Sequence, residues 1–411
     1  MNAKTGLRIF FIFALGYFLS YVYRGLNIGF APFLTAELGL SAGDLGLLTS
    51  VYFASFALAQ LPAGLALDTY GARKTEACLL LVAALGTVIY GMSSGMMGLI
   101  VGRFLIGIGV AVCLGAAFMA LAKSFPVSRL PMLNGMMVAL GGMGGVVVGT
   151  PLASLLQLYS WQTISIGMAG CTVLVVALIW FGVVEPKAHQ ARPKMSFSKQ
   201  LEGTKRILSH RVFWQLVSLP SVCGGAFYAA QSLWVRPYMI QAQGMLPEQA
   251  DRLVSLLGIS LVAGTLVSGL LARKLERLGL NVFRFAGLGL LTFLFVQLGI
   301  IMQWSIPHAL LWSAYGVSAS CNILAYSVML EVFPQQVMGR VTTAFNMVYF
   351  VCIFAMQMGI GYILDVWPQQ DGVYPAQAHM TAWGIMLGLQ LLAALWYFWP
   401  SALKVDAAEF A

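Results

Sequence analysis

Charged residues are scarce in this sequence: Asp, Glu, Lys and Arg make up 9% of its 411 residues, against roughly 25% in soluble domains. So little charge excludes a water-soluble globular protein of this length. Acid is scarcer than base, with 14 Asp and Glu against 23 Lys and Arg, and only four His are present. The six cysteines (Cys78, Cys113, Cys171, Cys223, Cys321 and Cys352) show no metal-type spacing and no disulfide framework. They read as small buried apolar residues. No nucleotide-binding loop, nucleophile–base pair or metal cluster is visible. An enzyme is therefore not expected, and neither is a cofactor or a bound metal. Short alternating strands are also missing, which excludes a membrane barrel.

What is abundant is apolar length. Hydrophobic residues are 60% of the chain, and its mean hydropathy is +0.85. A bilayer-crossing helix needs roughly 20 mostly apolar residues. With no water in the hydrocarbon, such segments must satisfy their backbones internally, as helices. The pattern predicts an all-α membrane protein with about twelve spans, at 7–30, 44–66, 76–94, 97–121, 131–155, 161–184, 212–235, 252–272, 283–303, 308–330, 341–365 and 380–400. With both termini placed in the cytoplasm, nearly all Lys and Arg fall on that side. Only Arg236 and Arg252 lie outside, with Arg24 and Arg103 inside the membrane. This is the positive-inside bias. The net charge of +9 thus reports topology and not nucleic-acid binding. No small-residue cleavage site follows the first apolar run, so span 1 is expected to remain as a span.

The longest polar interruption, 185–211, separates six spans from six. It divides the chain into an N-terminal half (1–184), a cytoplasmic central loop (185–211) and a C-terminal half (212–411). Phe125-Pro126, Arg129 and Asn134 before span 5 parallel Phe333-Pro334, Arg340 and Asn346 before span 11. Pro32 and Pro237 correspond near the ends of spans 1 and 7. Parallel repeats of this kind suit a transporter whose halves rock about a midplane site.

Between spans 2 and 3 stands Gly64-x-x-x-Asp68-x-x-Gly71-x-Arg73-Lys74. Gly64 would allow close helix approach and Gly71 a tight turn. Asp68 would sit at the positive start of another helix, that of span 11, as a gate. This segment resembles the signature loop of the major facilitator superfamily. Arg103-x-x-x-Gly107-x-Gly109 in span 4 resembles a second motif of the family. Arg103 is read either as a proton relay or as the holder of a structural network. Gly141, Gly145 and Gly149 of span 5 give a smooth packing face, only partly similar to the family's Gly-rich antiporter motif. The second-half copy of the signature loop is degraded, with Arg273 after Gly269 where the first half has Asp68. Trp161-Gln162 departs from the family's frequent Trp-Arg. The resemblance covers the whole chain. It implies a secondary transporter of the inner membrane, acting as a monomer in the lipid bilayer by alternating access.

Arg24 is the most informative single residue. A guanidinium in a span must face protein or water, and Tyr17, Ser20, Tyr21 and Asn27 share or border its face. Its position resembles that of the span 1 arginine of the anion:cation symporter family, which engages a substrate anion. Arg suits carboxylate or phosphate because its planar fork meets both oxygens. Gln231 and Trp234 of span 7, with Phe227, are further substrate candidates. So are Asn322 and Tyr326 of span 10 and Asn346, Tyr349 and Gln357 of span 11. Arg236 is expected at the outer mouth as an attracting charge.

By these spans all 14 Asp and Glu lie at helix ends or in loops, and Tyr23 stands where the symporters carry an acid. No His falls mid-membrane, His308 being nearest. Coupling by a buried acid or His is therefore not visible, although Glu37, Asp44 or Glu331 could serve if a boundary moved by a turn. A coupling proton or other ion stays open as a partner. The expected function is carriage of a small organic anion such as a carboxylate, and the alternative is drug or metabolite efflux. Nitrate is disfavoured, because members that carry it place arginines within spans 2 and 8. Span 2 has none, and Arg252 only opens span 8.

Overall fold

A computed structural model describes residues 3–126, 129–183, 197–277, 281–334, 337–369 and 373–400, together with 403 and 405. The protein is helical, and its described residues form seventeen α-helical segments with short π and 3-10 turns between some of them. In the first half these are α1 (Ala3–Leu38), α2 (Ala42–Gly91), α3 (Met96–Val110), α4 (Cys113–Ser124), α5 (Leu130–Gly142), α6 (Gly144–Val147), α7 (Thr150–Leu156) and α8 (Trp161–Gly182). Then come α9 (Phe197–Leu208), α10 (Arg211–Ala229), α11 (Val235–Pro237), α12 (Pro247–Arg277), α13 (Val282–Ile301), α14 (His308–Ala319), α15 (Leu324–Val332), α16 (Met338–Asp365) and α17 (Ala376–Tyr397).

Among the described residues nine helices are long and apolar enough to cross a membrane, ten if Met132–Val147 and Thr150–Leu156, bent by 41°, count as one. Twelve were expected, and three local features explain the difference. First, the polar stretch between spans 2 and 3 stays helical, so α2 runs for 50 residues. That is about 75 Å at 1.5 Å per residue. It is interrupted only at Gly71, whose φ of 83° and ψ of 170° lie where a side chain is strained. Second, the expected span 5 is broken at Met143 and again at Gly149. Third, the expected span 10 is α14 and α15 joined through a 3-10 turn, Ser320–Ile323.

Two other boundaries moved. Span 7 continues past 235 to Ala242, with π-helical turns at Ala230–Trp234 and Tyr238–Ala242. The central loop contains α9, whereas 184–196 lie outside the described residues, as do the side chains of Gly269 and Arg273.

The chain separates into two compact units, Met1–Leu40 with Val51–Phe197, and Ser41–Ser50 with Ser198–Ala411. In the first, α1 packs on α4, α5 and α8. Close approach is made possible by glycine. A Cβ at Gly141 would lie 2.1 Å from the Tyr17 ring, and one at Gly144 2.6 Å from the Phe18 carbonyl. The helix α3 meets both limbs of α2, through Gly107 at the Tyr52 carbonyl and Gly109 at Ala83. In the second unit α10 packs on α16 and α17, α12 on α14, and α13 on α14 and α17. An aromatic core of Tyr238, Trp312, Tyr315 and Trp383 joins these helices, Tyr238 and Trp383 being 4.4 Å apart between centroids.

Candidate functional site

In the first unit the polar stripe of α1 divides between two arginines. Arg24, 8% exposed, lies inside an apolar 34-residue segment. Its guanidinium carbon sits 4.5 Å from the centroid of the Tyr21 ring, one helical turn away. The Tyr52 hydroxyl, which donates to the Ser20 carbonyl at 3.3 Å, lies within the electrostatic reach of Arg24. Tyr17 meets Tyr21 edge-on at 5.2 Å. A weakly hydrated, planar cation over a phenol face is an arrangement in which a guanidinium can leave water.

Arg103 of α3 is used differently. It donates through Nη1 to the Tyr23 carbonyl at 2.8 Å and through Nη2 to Asn27 Oδ1, and lies 5.1 Å from the Tyr90 ring centroid. Tyr90 also donates to Asn27 Oδ1, at 3.0 Å. Tyr23 exchanges a hydrogen bond with Thr172 at 2.6 Å and accepts one from Thr87 at 3.0 Å. Tyr23 and Asn27, on either side of Arg24 along α1, are thus tied into a network that joins α1, α2, α3 and α8. Of the two readings of Arg103, this geometry is that of the network holder, and Asn27 gives its carbonyl oxygen to the network.

The signature segment lies along α2. Asp68 is exposed, Arg73 stacks 5.3 Å from the Trp180 ring centroid, and Gly71 provides the break. Gly64 departs from its expected role. A Cβ there would meet nothing within 4 Å among the described residues, so no close helix approach depends on it.

In the second unit, Gln231 sits in a π-helical turn of the α10–α11 segment and Asn322 in the 3-10 turn between α14 and α15. Both are buried, yet among the described residues Gln231 Nε2 and Asn322 Oδ1 have no hydrogen-bond partner. Irregular turns inside membrane-length helices are where side chains leave the regular ladder, often at functional positions. The other candidates are more occupied. Tyr326 donates to Asn346 Oδ1 at 2.5 Å, and Trp234 Nε1 to the Gln357 carbonyl at 3.1 Å. The Gln357 side chain lies 2.9 Å from Ser232 Oγ. Tyr349 packs over Gly224, where a Cβ would come within 2.2 Å of its ring. Phe227 is fully buried against Phe293 and Tyr315 and belongs to the core.

One expectation about charge is corrected, that every Asp and Glu lies at a helix end or in a loop. Arg236, expected as an attracting charge, forms a two-pronged ion pair with Asp251 at 2.6 and 3.3 Å. Glu37 accepts from Trp161 Nε1 at 2.9 Å and Gln162 Nε2 at 3.1 Å, and Asp44 from the Ser41 amide at 3.0 Å. Glu76 is an enclosed acid, fully buried, and among the described residues neither of its oxygens accepts from a nitrogen or oxygen donor. The sequence placed it at a helix boundary, because the adjacent Arg73 and Lys74 read as the end of a loop. His379 is likewise buried in the first turn of α17, its Nε2 2.8 Å from Gln241 Oε1.

A family model described as Major Facilitator Superfamily matches residues 13–357. Over 287 residues the chain is 24% identical to the "Probable sulfoacetate transporter" of Cupriavidus necator, covering 67% of this chain and 66% of that protein. The match thus spans just under two thirds of that relative's length. Two Bacillus subtilis proteins are similar: the "Nitrite extrusion protein", 24% identical with 73% and 72% covered, and the "Hexuronate transporter", 25% identical with 68% of each covered. Among solved structures, a bacterial homologue of the human lysosomal transporter Spinster, inward-facing and occupied, has a TM-score of 0.75 at 18% identity, with 97% of each chain covered.

Proposed function

Since the chain belongs to the Major Facilitator Superfamily, we propose that it is a secondary transporter carrying a small organic anion across the inner membrane by alternating access, anchored by Arg24. The observation that carries this reading is the burial of the Arg24 guanidinium over Tyr21, inside the apolar length of α1. A cation held there is costly unless it has a task. Two relatives are named for sulfoacetate and hexuronate, both small organic anions, which supports a carboxylate or similar anion as cargo. Tyr21 is proposed to align the guanidinium. On the second unit, Gln231 Nε2 and Asn322 Oδ1 are proposed as polar groups that await a ligand partner. Tyr326, Asn346 and Tyr349 are proposed as further polar groups of the same unit, whereas Asn27, Trp234 and Gln357 act by holding helices.

Twelve crossings fit this reading. Dividing α2 at Gly71, joining the bent pair at Gly149 and joining α14 with α15 would bring the nine apolar segments to twelve. The break at Gly71, flanked by Asp68 and Arg73, is proposed as part of the gate. Export of cationic drugs is the competing reading, and the buried Glu76 removes one argument against it. That carboxyl is enclosed, however, and Arg24 would repel such cargo.

A thermal-denaturation screen of the purified protein against galacturonate, sulfoacetate, nitrite and cationic amphiphiles tests the proposal. A ligand at about a hundred times its Kd stabilises the native state by about 2.7 kcal/mol. We expect that shift with an organic anion and its loss in Arg24→Ala. Stabilisation by amphiphilic cations alone, unchanged in Arg24→Ala, would overturn it.

A further inference from the structure

The carboxyl of Glu76 has no role in the reading above. It stands on the second limb of α2, five residues past the break at Gly71, and is 0% exposed. Among the described residues neither of its oxygens accepts a hydrogen bond from a nitrogen or oxygen donor. From α1 it is faced by Gly16, where a Cβ would lie 2.2 Å from Oε1, and Leu80 of its own helix closes the same side. The ionisable group that acts on it from a neighbouring helix is the Cys113 thiol of α4, a neutral and weak hydrogen-bond donor. On its own helix, Arg73 is turned over Trp180, and Lys74 is exposed. No ion pair to Glu76 is present among the described residues.

An ionised carboxylate cannot be held in such a place without a cation or several donors, so the form that fits is the neutral acid. A carboxylic acid kept neutral inside a membrane protein is a proton-binding group, and intramembrane acids of this kind serve proton relays. Its position also links it to the anion site. Gly16 and Arg24 lie on the same helix, eight residues and about 12 Å apart. A shift of α1 that follows engagement of Arg24 would change the contact that encloses Glu76.

We propose that Glu76 is a proton-binding site of this transporter, loaded and unloaded as α1 moves against α2 and α4, so that anion carriage is coupled to a proton. The proposal rests on the anion reading for its coupling partner, but not for the protonation of Glu76 itself. Glu76–COOH releases H⁺ to water when the contact with Gly16 opens, leaving the carboxylate, and takes it back before the contact closes.

Two measurements on the wild type and Glu76→Gln test it. Infrared spectroscopy of the protein in lipid should show a protonated-carboxyl band at neutral pH that is missing in Glu76→Gln. The band should lose intensity only on titration to alkaline pH. In proteoliposomes holding a lumenal pH dye, inward galacturonate flux should acidify the lumen with the wild type. In Glu76→Gln, that proton flux should fall by about a hundredfold or more, the size of effect usual for loss of a proton-transferring group. A carboxyl band that is absent, or present equally in both proteins, overturns the proposal. So does wild-type proton flux per galacturonate in Glu76→Gln. If the wild type carries no galacturonate, that cargo assignment fails, and the infrared band alone decides on Glu76.

Discussion

Arg24 and Arg103 meet the same stretch of α1 and are held by opposite means. Arg103 spends its N–H groups on Tyr23 and Asn27, so replacing it leaves buried acceptors unsatisfied. Arg103→Lys, which cannot span both, should lower stability by about 1–3 kcal/mol, read as a fall in the thermal midpoint of the purified protein without ligand. Arg24 packs by its face over Tyr21. Arg24→Lys keeps the charge but loses the fork, so we expect its unliganded midpoint to stay near that of the wild type while the anion-induced shift shrinks. A large loss of unliganded stability would mark Arg24 as structural instead. Gly16 offers a third test. Gly16→Ala drives a methyl into the Glu76 carboxyl and should cost about 1–3 kcal/mol. Combining it with Glu76→Ala should recover part of that loss, because the two sites share one contact.

Among the elements, α2 shows how a helix can be fixed at its start by residues distant in sequence. Ser41 and Asp44 form a reciprocal cap, the Ser41 amide donating to Asp44 at 3.0 Å and the Asp44 amide to Ser41 Oγ at 3.1 Å. The next amides, of Ala42 and Gly43, donate to Asp365 at the end of α16, at 3.2 and 2.7 Å. Ser41 Oγ adds a bond of 2.9 Å to the same carboxylate. A carboxylate that accepts several donors at a helix N-terminus is favoured by both hydrogen bonding and the helix dipole. Asp365→Ala should therefore cost about 1–3 kcal/mol, measured as a lower thermal midpoint, with Asp365→Asn intermediate.

The Tyr374 hydroxyl also donates to Asp365. Burial first, and then the hydrogen bond to Asp365, raise the Tyr374 phenol above its ordinary value of 10.0. The contribution of this raised group is fully present below pH 10 and is lost as the pH climbs through the higher folded value. Thermal midpoints taken on the alkaline side should show that loss in the wild type and not in Tyr374→Phe. At the other break in α2, Gly71→Ala places a side chain at φ 83°. It should cost about 1–2 kcal/mol and slow transport if the break is a gate.

At the scale of the whole chain, the surplus of Lys and Arg on one side of the apolar segments decides orientation. Fusing a reporter that is active only in the cytoplasm to the C-terminus should give signal, and one active only outside should give none. The opposite pattern would reverse every assignment of inner and outer ends made above.

The sequence by itself determined that this is a helical membrane protein of the Major Facilitator Superfamily, and it singled out Arg24. Both follow from properties carried along the chain: apolar length, the spacing of Gly64 to Lys74, and the rarity of a guanidinium in a span. Tertiary structure decided which polar groups are occupied. Asn27, Trp234 and Gln357 read alike as free amides or indoles until their partners on other helices are seen. Arg236 read as an attracting charge, and its pairing with Asp251, fifteen residues on, is set by the fold. Glu76 was hidden for the same reason. Its two basic neighbours, Arg73 and Lys74, mark a helix end by local pattern, yet the backbone continues through them, and α1 and α4 enclose the carboxyl. Burial and pairing depend on contacts between residues far apart in the chain, and hydropathy and spacing along one strand of sequence do not contain them.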